Sequence, residues 1–196
     1  MQPSDQIHYC GFCKKQNSKP LYPTEDLYGN DYSIHQCLEC KSYFLAPRPS
    51  AELLKRAYHN EYYGHGTDKF KSGWVERVLD YFRGKRAEVI HQQLKGNGRV
   101  LDIGCGNGRF LDFLQNLGEY EIHGIELPGA AAERARNIPN LHLKTGRLSR
   151  EDYSENYFDA ITLFHVFEHL QEPKEVLDII DQTLKPNGTL AISFPN

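Results

Sequence analysis

The feature that most restricts the fold is an alternation of strand-like and helix-like segments that begins at Arg99. Val100 to Ile103 is a short apolar strand candidate that runs into a glycine-rich turn, Asp102-Ile-Gly104-Cys105-Gly106-Asn107-Gly108. Arg109 to Leu117 then carries the spacing of an amphipathic helix. Glu121 to Leu127 reads as a second strand, Gly129 to Arg136 as an Ala-rich helix, and Leu141 to Lys144 as a weaker third strand. Phe158 to Phe164 is a fourth strand, followed by a helix from about Lys174 to Leu184. Lys185-Pro-Asn-Gly188 is then expected as a turn, and Thr189 to Phe194 as a fifth strand. Strands alternating with helices build βαβ units, and these give a parallel sheet covered on both faces. The expected core is α/β, a doubly wound, mostly parallel sheet.

The glycine-rich turn sits between a strand and a helix. Glycines there let the backbone turn sharply and approach a ligand that a Cβ would exclude. The helix start adds free N–H groups and the positive end of the helix dipole. Eighteen residues after Gly108, the second strand reaches Glu126, whose carboxylate can accept hydrogen bonds from two vicinal ribose hydroxyls. Together they point to an adenosine-type ligand at the switch point of the sheet. A dinucleotide fingerprint, G-x-G-x-x-G, would place its last glycine where Arg109 stands, and the spacing here is G-x-G-x-G. No G-x-x-x-x-G-K-[ST] loop is present, which disfavours nucleoside triphosphates.

The N-terminal part is organised by cysteines. Cys10-Gly-Phe-Cys13 and Cys37-Leu-Glu-Cys40 are separated by 23 residues, and the fifth cysteine, Cys105, belongs to the glycine-rich turn. A C-x-x-C on a tight turn points two sulfurs at one ion, and two such knuckles supply four ligands to a tetrahedral Zn2+. Gly11 and Lys41 sit where the chain bends around the sulfurs. The gap holds strand-like pieces near Tyr22 and from Tyr32 to His35, as a zinc ribbon requires. A redox dithiol would need one C-x-x-C at a helix start in a βαβ setting, which is not what surrounds these pairs.

Pro47-Arg-Pro49-Ser50 marks a boundary, with Ser50 as helix N-cap and Ala51 to Tyr58 as a short helix with Leu53, Leu54 and Ala57 on one face. Tyr62, Tyr63 and His65 fall in a loop that can fold over a cofactor or pack between the two parts. Ser72 to Lys95 shows roughly helical spacing through Trp74, Val75, Val78, Leu79, Phe82, Val89, Ile90 and Leu94, with an expected interruption at Gly84. Three regions follow: a zinc ribbon over 1–48, a helical linker and cofactor lid over 49–97, and a cofactor-binding core over 98–196.

At this point a resemblance becomes specific. Val100-Leu-Asp-Ile-Gly-Cys-Gly-Asn-Gly-Arg-Phe110 resembles the first motif of class I S-adenosylmethionine-dependent methyltransferases. Gly124-Ile-Glu126-Leu is similar to their acidic strand end, Phe158 to Leu170 to their fourth-strand motif, and Leu184 to Leu190 to their turn into strand five. The N-terminal half is similar to a bacterial subgroup in which a C-x-x-C…C-x-x-C ribbon, a Pro-x-Pro-Ser helix start and a Tyr-Tyr-Gly loop precede the core. The resemblance implies that Gly104, Cys105, Gly106 and Gly108 pass close to S-adenosyl-L-methionine and that Asp102 reaches its amino group, directly or through water. It implies that Glu126 holds the ribose, Leu127 packs on adenine, and Phe164 and His165 line the site below the sulfonium. Leu148 belongs to the same set. Thr145-Gly-Arg147-Leu148 departs from the pattern, because many relatives carry an acidic residue there for the adenine amino group.

His165-Val-Phe-Glu168-His169 literally matches the inverted zinc-protease motif, with histidines at i and i+4 that share a face on a helix. Its place directly after a parallel strand, with only 27 residues following, argues against a protease. Quinone-type O-methyltransferases of the resembled fold carry a similar E-x-x-E-H segment that binds a metal and the acceptor oxygen, and His165 replaces its first Glu. Three readings stay open: a metal site, a general base at His165 or His169, or packing with Glu168 capping a turn.

Composition narrows the function. Among 196 residues, 23 Lys and Arg face 26 Asp and Glu, and residues 1–70 hold eight of each sign. The ribbon half is neutral, which argues against nucleic acid. No apolar run approaches the ~18–20 residues of a membrane span, and the start lacks a secretory signal, so a cytoplasmic protein is expected. The reading is methyl transfer to a small-molecule acceptor, such as a sugar, lipid-linked or quinone-like molecule. The alternatives are an RNA methyltransferase that uses the ribbon, or a catalytically silent binding module. Members of the resembled class usually add two strands after the fifth, whereas this chain stops at Asn196, so a truncated core or a covered strand-five edge is expected. Oligomeric state is left open.

Overall fold

A computed structural model describes residues 8–57 and 73–195. Tyr62, Tyr63 and His65 lie outside the described residues, as do Tyr58 and Ser72 at the ends of expected helices. The described residues divide into two compact units. One takes those up to residue 57 with Gln171–Glu175, and the other takes the remainder.

The first unit is built on an antiparallel sheet of β1 (Ser18–Glu25), β2 (Asp31–Cys37) and β3 (Tyr43–Ala46), in that order. Pro20 and Pro23 lack N–H donors and place β1 at an edge, with a register irregularity between Pro20 and Tyr22. The β1–β2 connection is set by Asp26, whose Oδ1 accepts from the N–H groups of Tyr28 at 2.8 Å and Asn30 at 2.9 Å. Ser50 caps α1 (Ala51–Ala57) as expected, accepting from the Leu53 N–H at 3.1 Å.

The second unit is a five-stranded, wholly parallel sheet of β4 (Asn97–Ile103), β5 (Glu119–Glu126), β6 (His142–Thr145), β7 (Phe158–Phe164) and β8 (Leu184–Ser193). Its order is β6-β5-β4-β7-β8, so the chain reverses direction of travel between β4 and β7. Alternate residues serve opposite faces. Val100, Ile122 and Ala160 are paired across β4, β5 and β7 and pack with Ala87 and Ile90 of α2 (Gly73–Leu94) and Phe110, Leu111 and Leu114 of α3 (Arg109–Gln115). Leu101, Ile103, Ile125, Ile161 and Leu163 point the other way and pack with Ile180 of α5 (Pro173–Thr183). α4 (Ala130–Ala135) buries Ala131, Ala132 and Ala135. Both faces of the central strands are therefore dry, which explains why they read as near-continuous apolar runs.

Two local expectations are corrected. α2 runs unbroken through Gly84, because the burial of Ala87 and Ile90 one turn later outweighs the ~1 kcal/mol that an interior glycine costs. Its buried face is only partly the expected one, since Ile90 is buried and Leu94 packs on the core but Trp74, Phe82 and Val89 are exposed and the small Ala87 is buried. Lys185–Gly188 is not a separate turn preceding β8 but an irregular stretch inside it. Phe158 pairs with Leu184 and Ala160 with Thr189, so two steps along β7 match five along β8.

β5 approaches the glycine-rich turn so closely that Gly124 has no room for a side chain. A Cβ there would lie 2.7 Å from Cys105 Sγ. Gly124→Ala should destabilise the protein by about 1–3 kcal/mol, and adding Cys105→Ala should recover most of that loss. Chemical denaturation of the two single variants and the double variant checks this, and additive losses would contradict it.

Candidate functional site

The carboxyl ends of β4, β5 and β7 converge on the glycine-rich turn. The N–H groups of Gly104 and Cys105 both donate to the Ile125 carbonyl, at 2.8 and 3.0 Å, which ties the turn to β5. Gly104 (φ 71°) and Gly106 (φ 59°) adopt left-handed backbone, which favours glycine at both. They differ in what surrounds them. A Cβ on Gly104 would run into the side chain of Val166, whereas one on Gly106 would meet nothing within 4 Å. Gly104 is thus required by packing, and Gly106 borders open space. Gly108 is the N-cap of α3.

Glu126 closes this arrangement. Its Oε2 accepts from the Gly106 N–H at 2.7 Å and its Oε1 from the Leu127 N–H at 2.9 Å. The carboxylate is 6% exposed, and burial pushes its pKa above the ordinary value. Each oxygen keeps a second lone pair, so the group can still accept from a ligand. Leu127, next in the chain, is exposed, and Leu148 is half-buried against the Leu101 side of the sheet.

Asp102 lies at the end of β4, 4% exposed, directly paired with Thr162 of β7. Thr162 Oγ1 donates to Asp102 Oδ1 at 2.6 Å. Burial dominates and pushes the carboxyl up to about 7, against the Thr162 hydrogen bond, with the charge of Glu126 adding to the rise and Arg86 opposing it. Cys105 is buried, and burial raises its thiol strongly. Phe164 packs edge-on against Phe110 at 4.9 Å.

Beyond Phe164, His165 takes left-handed backbone (φ 58°) and its N–H donates to the Ser193 carbonyl at 2.7 Å. The following residues form only a 3-10 turn, Phe167–His169, so the shared α-helical face expected for His165 and His169 does not exist. Glu168 Oε1 stands 3.9 Å from His165 Nδ1 and 4.0 Å from His169 Nε2, central to both rings but beyond hydrogen-bond length. Their ligating atoms do not all fall within 4.8 Å of one another.

Three residues absent from the sequence reading enter the site. Thr162 had a signal, since a polar residue in a buried strand opposite Asp102 needs a partner. Val166 had none. Arg86 also had none, because nothing distinguishes it from Arg77 or Arg83 of the same helix, yet its Nη2 lies 2.8 Å from His165 Nε2. Arg109, the residue that breaks the dinucleotide spacing, pairs with Asp80 of α2 at 2.8 Å and Asp112 at 3.0 Å.

In the first unit the four sulfurs gather as the spacing predicts. Cys10 and Cys40 Sγ are 3.6 Å apart, Cys13 and Cys37 3.4 Å, and all four lie within 4.8 Å of one another. None is disulfide-bonded. Tetrahedral Zn2+ with bonds of about 2.3 Å needs sulfur–sulfur edges of roughly 3.8 Å, so the set fits that ion. The two knuckles match: the Lys14 N–H donates to the Cys10 carbonyl and the Lys41 N–H to the Cys37 carbonyl, and both lysines are left-handed. Gly11 lies within the first turn as expected, and the left-handed residue is Lys14, which follows the second cysteine of its pair as Lys41 does in the other. The Ser42 hydroxyl lies 2.9 Å from Cys40 Sγ and pulls that thiol down to about 6.

A second group, Glu121, His123 and His142, also falls within 4.8 Å. Glu121 already accepts from Arg99 Nε at 2.8 Å, His123 Nε2 at 2.9 Å and the Tyr157 hydroxyl at 2.9 Å, led by Arg99 in holding it down near 2. That is an internal ion network whose acceptor is largely taken.

The folded carboxyl of Asp102 lies above its unfolded value, so its contribution to stability is full below about pH 4 and is lost as pH rises through about 7. Asp102→Asn stays neutral. It should gain on the wild type between pH 5 and pH 8, by about 2–3 kcal/mol. Denaturation at both pH values measures this, and a pH-independent difference would contradict it.

Comparison with known proteins identifies the family. The chain is 29% identical over 128 residues to a ubiquinone biosynthesis O-methyltransferase of Pasteurella multocida, covering 57% of this chain and 52% of that protein. It is 26% identical over 148 residues to the mitochondrial ubiquinone biosynthesis O-methyltransferase of Dictyostelium discoideum, covering 67% and 46%. The chain spans about half the length of the curated relatives it matches. The solved PH0226 protein of Pyrococcus horikoshii shares the fold, with a TM-score of 0.52 and 21% identity over 70% of this chain and 64% of that one. A methyltransferase-domain family model matches residues 63–196, and the chain belongs to that family.

Proposed function

We propose that this chain binds S-adenosyl-L-methionine where β4, β5 and β7 end and transfers its methyl group to an oxygen of a small, quinone-like acceptor. One observation carries the reading: the buried Glu126 carboxylate, tied to the Gly106 N–H, borders the open space above a left-handed glycine. The cofactor's ribose hydroxyls find acceptors at Glu126, and its amino group finds Asp102. Gly104, Cys105, Gly106 and Gly108 supply close backbone, Leu127 and Leu148 apolar cover for adenine, and Phe164 and His165 the wall nearest the reacting group. The names of the relatives support the quinone-like acceptor, and the near-neutral charge of the chain supports a small molecule over RNA.

When bound, the cofactor supplies an electrophilic methyl group. The protein's part is alignment of the acceptor oxygen with the methyl–sulfur bond, which the rigid ends of three strands favour. His165 Nε2 would take the acceptor's proton, with Glu168 between the His165 and His169 rings. No helix among the described residues is long and apolar enough to cross a membrane. The four cysteines would hold one Zn2+ as a cross-link of the first unit, remote in role from methyl transfer.

S-adenosylhomocysteine at ~100 times its Kd should stabilise the protein by roughly 2.7 kcal/mol, and NADH should not. A thermal melt with each ligand reads this, and no response to S-adenosylhomocysteine would sink the cofactor assignment. For the cysteines, protein purified without chelator should carry about one zinc per chain, and Cys37→Ser should lose it together with thermal stability. Full zinc and full stability in that variant would refute the ribbon.

A further inference from the structure

His165 is placed by two constraints that come from different parts of the chain. Its backbone is held left-handed at the end of β7, a conformation costing a non-glycine residue roughly 1–2 kcal/mol, by the hydrogen bond to Ser193. Its ring is held by Arg86, 79 residues earlier, whose Nη2 lies 2.8 Å from Nε2. A guanidinium only donates hydrogen bonds. Nε2 must therefore present its lone pair, and the proton of the neutral ring must sit on Nδ1, the atom that faces Glu168 Oε1 at 3.9 Å. Cation, imidazole and carboxylate are ordered in one direction.

Arg86 is itself fixed. Its guanidinium lies over the Phe164 ring, 4.9 Å from the centroid, and is attracted by the Asp102 carboxyl while Arg83 of the same helix repels it. The next residue, Ala87, is fully buried in the core, so the helix cannot shift here without opening the sheet face.

We propose that Arg86 is a positioning residue: it fixes His165 as the Nδ1–H tautomer and covers the Nε2 lone pair until an acceptor hydroxyl displaces it. The exchange suits the reaction under "Proposed function", on which this role rests. A hydroxyl that takes Nε2 releases the guanidinium to hydrogen-bond the same oxygen as it gives up its proton. The groups facing the ring are Arg86 from α2, Glu168 from the 3-10 turn, with His169 on the far side of the same carboxylate, and, through Arg86, Asp102 from β4.

The test is the tautomer itself. Long-range proton–nitrogen correlation spectra of the full chain with 15N-labelled histidine, assigned through His165→Gln, should show Nε2 as the unprotonated nitrogen of His165 and Nδ1 as the protonated one. Arg86→Met should lose that pattern in favour of the Nε2–H form that free imidazole prefers. Arg86→Lys, also a pure donor, should restore part of it. An Nε2–H ring in the wild type, or an unchanged pattern in Arg86→Met, overturns the proposal. The wild-type spectrum decides even where a variant folds poorly. A calorimetric titration with S-adenosylhomocysteine separates the two readings: binding with the wrong tautomer sinks only the Arg86 role, and the right tautomer without binding sinks only the cofactor.

Discussion

The fastening on which the site depends is the bond between the Glu126 carboxylate and the Gly106 N–H. A carboxylate taken out of water is costly unless donors replace the solvent, and here two backbone N–H groups do so. The same bond holds the left-handed turn after β4 against the end of β5. The conformation of the loop and the orientation of the acid are therefore one interaction. A substitution there cannot remove the carboxylate and leave the loop as it was.

Around that bond the sheet changes character along its own strands. Val100, Leu101, Ile122 and Ile161 are apolar and fully buried, whereas Asp102, Thr162 and Glu126 are buried and polar. Parallel strands buried on both faces are normally dry throughout, so a polar layer near their carboxyl ends costs stability. Asp102 shows the cost most plainly, since its carboxyl is held far above its ordinary range by its burial at the end of β4.

Much of this was legible in the sequence, for reasons that differ by element. The parallel sheet followed from period and punctuation, and Glu126 followed from its distance to the glycines. The cysteine cluster followed from spacing alone, because two C-x-x-C knuckles leave sulfurs few other places to go. What escaped was set by tertiary packing. Gly84 carried a local signal to break α2, and the buried Ala87 and Ile90 overruled it. The His-x-x-Glu-His spacing promised a helical face, and the left-handed His165 with its bond to Ser193 denied one. Arg86 left no trace, since its role comes from where α2 lies and not from its neighbours in sequence.

That lie of α2 has a mechanical consequence. Two of the helix's fastenings to the core are unlike: the apolar burial at Ala87 and Ile90, and the Asp80–Arg109 ion pair, whose arginine opens α3 directly behind the glycine-rich turn. The first fastening is indifferent to dissolved ions and the second weakens as they screen it. α2 thus behaves as a strut with one end glued and one end tied by charge. Ionic strength slackens the tied end alone, the end next to the loop that carries Gly104, Gly106 and Gly108.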